Sequence, residues 1–153
     1  MQSIIENIRK TRQWLLESIA DLTPDQLNEI PQGFNNNIIW NLAHLVSAQQ
    51  GLCYVRAGLP TVIDEQTFND FKSGTRPNGA LEKEEIEKIK ALMFSTLEQL
   101  QKDYDNKKFK DYTTFKTRYG VEMKTVEDAI EFLPYHEGMH TGVITSLKKL
   151  VQH

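Results

Sequence analysis

Apolar residues recur at helical spacing in four long stretches of this chain, and turn-forming residues separate them. From residue 2 to about 21, Ile4, Ile8, Leu15, Ile19 and Leu22 fall near one stripe, widened by Ile5 and Trp14. Thr23-Pro24-Asp25 then offers a cap, a proline suited to a first helical position and an acid in the first turn, which predicts one short turn over "TPDQLNEI". The second long stretch covers about 36–57, with Ile38, Ile39, Leu42, Leu45, Val46, Leu52, Cys53 and Val55 on its apolar faces. Gly58-Leu59-Pro60 ends it.

A connection of roughly 59–82 follows, rich in Ser-Gly-Thr and Pro-Asn-Gly turn chemistry. Connections of that length are usually functional or hide a short helix, for which "EQTFNDF" is the candidate. The third helix is expected over about 82–104, with Ile86, Ile89, Met93, Leu97 and Leu100 in its core stripe and glutamates at its N-terminus. Residues 105–124 are less regular and alternate around Tyr119-Gly120, which suits a small hairpin or an extended connection. Thr125 and Asp128 form a capping-box-like start to the fourth helix. Pro134 lacks an N–H and crowds the preceding turn, so a kink or a break is expected there. The pattern predicts an all-α fold with long connections between the second and third and the third and fourth long helices.

Composition narrows the class. A chain of 153 residues, 39% apolar and 25% charged, is expected to form a single domain over 1–153. A net charge of -3 argues against an electrostatic nucleic-acid binder, which needs a basic stripe, and Lys107, Lys108 and Lys110 sit beside Asp103, Asp105 and Asp111. The single cysteine, Cys53, allows no intrachain disulfide and fits a reducing compartment. Charges thread the N-terminal apolar residues, unlike a signal peptide, and no apolar run approaches the roughly 18 residues of a membrane span. A cytoplasmic location is the expectation.

The chemistry concentrates in "YHEGMHTG", residues 135–142, which contains the H-E-x-x-H string of His136, Glu137 and His140. On a helix the two histidines are offset by only about 40° and one turn, so both can reach one ion. A zinc protease of this type also needs a third ligand downstream. Ser146 stands six positions beyond His140, and the thirteen residues after His140 include no acid. His153 is terminal and is expected to be a solvated tail. The third ligand must come from upstream, where His44 lies among Ile38, Leu42, Leu45 and Val46. If the second and fourth long helices are neighbours, His44, His136 and His140 converge, and three imidazoles leave a divalent ion with open positions.

Trp40-Asn41-Leu42-Ala43-His44, the "GLCYVRAGLP" exit from that helix and "FLPYHEGMHTGVITSLKKLV" together resemble the DinB-like (YfiT-like) metalloenzyme superfamily. The resemblance extends from the first helix to Leu150. It implies a four-helix bundle, a divalent metal held by His44, His136 and His140, and a homodimer. Characterised relatives include thiol-dependent transferases that use bacillithiol, mycothiol or glutathione, and a maleylpyruvate isomerase.

A metal with open positions can activate water or hold a thiol as thiolate. The expected function is therefore that of a metal-dependent enzyme of thiol S-transferase-like type, with a low-molecular-weight thiol as small-molecule partner. The alternatives are a metal-dependent hydrolase or a non-catalytic metal- or ligand-binding helical-bundle dimer. Zinc is the default ion, with nickel, iron and manganese open. Glu137 is the candidate catalytic acid/base; a solvent-facing position or one orienting His44 or His140 is the alternative. Cys53, about 180° around the helix from His44, is expected to be a core residue. Gln49 and Gln50 can line the pocket or bond between helices, Arg56 and Arg118 can meet a carboxylate, and Trp40 is expected to pack around the site.

Overall fold

A computed structural model describes residues 1–152; His153, expected as a tail, lies outside the described residues. These contain six α-helices: α1 (Gln2–Ser18), α2 (Pro24–Asn28), α3 (Ile38–Gln49), α4 (Glu65–Phe71), α5 (Lys83–Asp105) and α6 (Val126–Val151). A two-stranded antiparallel ribbon, β1 (Phe115–Lys116) with β2 (Glu122–Met123), precedes α6. The fold is the expected all-α one. The expected four helices are its four long ones, and the short α2 and α4 raise the number to six.

Local chemistry sets the helix starts. Thr23 and Thr125 form reciprocal capping boxes with Gln26 and Asp128. Asn37 caps α3 by accepting the Trp40 N–H at 2.9 Å, and Asp64 caps α4 by accepting that of Thr67. The expected second stretch divides: α3 passes into a π-helical turn over Gln50–Tyr54 and a 3-10 turn over Val55–Ala57, which Gly58 ends at φ 69. Pro134 does not break α6, which runs through it uninterrupted. Gly120, at φ 86, turns the ribbon; the hairpin is the form that the Tyr119-Gly120 region takes.

The long helices close a ring in which α1 and α3 each pack on both α5 and α6. Lys148 of α6 donates to the Ser18 carbonyl and to Asp21 beyond α1, so α1 and α6 run in the same direction. Tyr54, just beyond α3, donates to Asp103 near the end of α5, so α3 and α5 also run together. The adjacency of α3 and α6 meets the condition for a three-histidine site.

The interior is divided. Leu22, Leu42, Ile86 and Leu147 belong to one apolar cluster, and Ile5, Cys53, Leu100 and Ile130 to another. Each long helix also buries polar side chains, among them Arg12 from α1, Gln49 from α3, Thr96 from α5 and Glu137 from α6. Gln49 donates to the Thr96 carbonyl at 3.0 Å and accepts from the Thr96 hydroxyl. Arg12, wholly buried, donates to Glu137 from Nε at 3.1 Å and from Nη2 at 2.6 Å. Its Nη1 donates to the Met93 carbonyl at 2.8 Å. These bonds satisfy charges that would otherwise be costly to bury.

Candidate metal centre

His44 on α3 and His136 and His140 on α6 form a single group, each offering a ligand atom within 4.8 Å of the others. Their ring centroids lie 5.2 Å (His44–His136), 4.8 Å (His44–His140) and 4.6 Å (His136–His140) apart.

Hydrogen bonds orient two of the rings and fix their tautomers. His44 Nδ1 lies 2.7 Å from the carbonyl oxygen of Phe71, the last residue of α4. A carbonyl only accepts, so Nδ1 carries the proton and Nε2 keeps its lone pair. His140 Nδ1 lies 2.7 Å from Asn41 Oδ1. The Asn41 amide donates to Asn36 Oδ1 and the Asn37 carbonyl, which leaves Oδ1 as the acceptor and His140 Nδ1 as the donor. Both Nε2 atoms are therefore available to an ion, and the bonds on the far side of each ring are those that ligating histidines use. His136 Nδ1 is buried with no protein partner, an orphaned polar atom beside two oriented ligands.

Burial keeps the rings neutral. It lowers the pKa of His44, and of His136 to about 3, where the neighbouring His140 and His44 add to the effect. His140 falls to about 4, again chiefly through burial. Three uncharged imidazoles suit a divalent cation. Zinc–nitrogen bonds of about 2.0–2.1 Å in a tetrahedral site place the ligand nitrogens roughly 3.4 Å apart. The ligand atoms here lie within 4.8 Å of one another, so the rings close in by up to about 1.4 Å to hold an ion, through side-chain rotation on two facing helices. The residues fit an ion.

Around this group the structure sorts the other candidates. Glu137 does not join it: the carboxylate turns to Arg12, bonds neither His44 nor His140, and is only 2% exposed. An arginine buried on α1 donates to both of its carboxylate oxygens. Trp40 stacks on His44 with ring centroids 4.8 Å apart and planes 7° off parallel. Cys53 is wholly buried in the second apolar cluster, where burial pushes its thiol up to about 12. Gln50 accepts the Val62 N–H and so, like Gln49, serves the interior. Arg56 and Arg118 lie over Phe115 and Tyr119, 4.4 and 5.2 Å from the ring centroids.

Several partners were missed. Asn41 lies between Trp40 and His44, in the stretch that carries the first ligand. The Phe71 carbonyl left no signal in side-chain identity. Arg12 did leave one, as a charged residue between Ile8 and Leu15 in the α1 core stripe. Phe132, Tyr135 and Tyr119 form a chain of ring contacts that reaches His136 through Phe132.

Fold and site define a helical protein with a three-histidine group able to hold a metal ion. A sequence profile described as the DinB superfamily matches residues 7–144, and the chain belongs to that superfamily. No curated protein matches the chain.

Proposed function

We propose that this protein is a divalent-metal-dependent enzyme of thiol S-transferase-like type, with His44, His136 and His140 as ligands and zinc as the ion. The supporting observation is the locked pair of tautomers: Phe71 and Asn41 hold the Nδ1–H of His44 and His140, leaving two Nε2 lone pairs in one group with His136. Three protein ligands leave open positions, at which a bound divalent ion supplies Lewis acidity and stabilises a thiolate.

A bound divalent ion acidifies water and a thiol alike, but a thiol starts from a pKa of about 8.5 against about 15.7 for water, so it becomes the nucleophile with less help. Glu137 offers that help to neither, because its carboxylate is paired with Arg12. Trp40 and the Asn41 and Phe71 contacts hold the rings, and Phe132 provides an aromatic side next to His136. The protein is proposed to act in the cytoplasm as a homodimer; among the described residues no helix is long and apolar enough to cross a membrane.

The test is metal content of purified untagged protein beside His44→Ala, His136→Ala and His140→Ala, followed by thiol titration of a cobalt-loaded sample. About one metal per chain, lost in each folded variant, together with a thiol-to-cobalt charge-transfer band, supports the proposal. Metal that gives no band with bacillithiol, mycothiol or glutathione leaves a non-catalytic metal-binding bundle and refutes the thiol function. Retention of metal in His44→Ala refutes the ligand set.

A further inference from the structure

An open cavity of about 270 Å³ lies at the N-terminal end of α3, bordered by α4 and the connection that follows it. No histidine lines it, yet it shares two walls with the histidine group. Trp40, which stacks on His44, forms one of these walls, and Phe71, whose carbonyl holds His44 Nδ1, forms the other. Ile39 and Leu81 extend the apolar part of the lining.

Two opposite charges also line this cavity. Arg76 has no hydrogen bond or ion pair among the described residues, and Asp70 has no cationic partner. The Asp70 carboxylate is steadied by Gln66, whose amide nitrogen lies 2.7 and 2.8 Å from its two oxygens. Each oxygen keeps a second lone pair for a ligand. Arg76 and Asp70 are both exposed to solvent and border one cavity without pairing with each other, so a guest can engage both charges. A carboxylate suits the planar guanidinium fork, an ammonium suits Asp70, and an apolar substituent suits the Trp40, Ile39 and Leu81 surface.

From this arrangement we infer a second ligand site that takes a small zwitterion, an α-amino acid or a close analogue with an uncharged apolar side chain. The site needs no metal, so its fate is independent of the proposed enzymatic function.

The sequence holds two tryptophans, and Trp14 is half-exposed, so Trp14→Phe leaves Trp40 as the sole indole reporter with little structural cost. The experiment titrates L-leucine into the EDTA-treated Trp14→Phe protein and follows Trp40 emission. Parallel titrations use 4-methylpentanoate, which lacks the ammonium, and isoamylamine, which lacks the carboxylate. The expected result is a saturable change with leucine at millimolar Kd or below, and binding at least tenfold weaker for each one-charge analogue. Arg76→Ala and Asp70→Asn, both on the Trp14→Phe background, are each expected to weaken leucine at least tenfold. Far-ultraviolet circular dichroism confirms that they are folded. No saturable response to leucine overturns the inference, as does a response unchanged by Arg76→Ala. A response that appears only after metal is restored also overturns it, because leucine would then be chelating the ion.

Discussion

Removing the Glu137 carboxylate leaves Arg12 as a buried charge with two of its donor nitrogens stripped of their main acceptor. In the native protein Arg12 Nε lies 3.1 and 3.3 Å from the two carboxylate oxygens and Nη2 lies 2.6 Å from one. After Glu137→Ala, Nη1 keeps the Met93 carbonyl at 2.8 Å, while Nη2 keeps only a 3.5 Å contact with the Leu45 carbonyl. Water cannot easily replace the lost acceptor, since Arg12 is wholly buried. Breaking a buried pair in this way costs about 3–5 kcal/mol. For a chain of this length that corresponds to a fall in Tm of roughly 10 °C. Urea unfolding of wild type, Glu137→Ala, Arg12→Met and the Arg12→Met/Glu137→Met double variant measures the effect. Each single variant is expected to be strongly destabilised. The double variant is expected to recover most of the loss, because neither buried charge remains. Metal content per folded chain should be unchanged in all of them. If Glu137→Ala keeps wild-type stability but loses metal or thiol-transfer activity, the carboxylate belongs to the site and a purely structural pairing with Arg12 is refuted.

Asn41→Ala removes the acceptor that holds His140 Nδ1–H and is expected to weaken metal affinity about 10- to 100-fold without abolishing binding, as read by competition with a chromogenic chelator. The metal-free protein is expected to lose stability as pH falls below about 6.5, continuing through about 4 and 3. His136 and His140 take up protons less readily folded than unfolded, and denaturant midpoints between pH 7 and 4 check this. Cys53, buried and with its thiol pushed up to about 12, should remain unmodified by a thiol reagent in the folded protein at pH 7.5 and react on unfolding.

The periodic parts of the fold were legible because one face of each long helix must be apolar. The expected ranges for α1, α5 and α6 therefore lie within a few residues of those observed. The three histidines were legible for a related reason: helical spacing aligns His136 with His140, and only one upstream histidine lies inside an apolar stretch. The partner of Glu137 was not. Spacing gives its direction on α6 but does not reveal which group waits there, and the answer lay 125 residues away on α1. The lock on His44 was hidden more deeply, since a main-chain carbonyl is offered by every residue type and only the docking of α4 selects that of Phe71. The π-helical turn at Gln50–Tyr54 likewise left the apolar pattern intact while changing the hydrogen-bond spacing.

The dependence of His44 on Phe71 makes the connection between α3 and α5 a control on the site's chemistry. α4 has seven residues and no fully buried side chain; its grip on α3 includes carbonyls that accept from Ser47 and His44. Substitutions there can shift how firmly the ring is presented without altering any ligand or any long helix. A lineage or a protein engineer could thus tune ion affinity through a stretch that ordinarily absorbs change at little consequence. The same stretch borders the cavity beside Trp40. Selection on a guest there and selection on the ion would then act on the same few residues, so the two properties would tend to be inherited together.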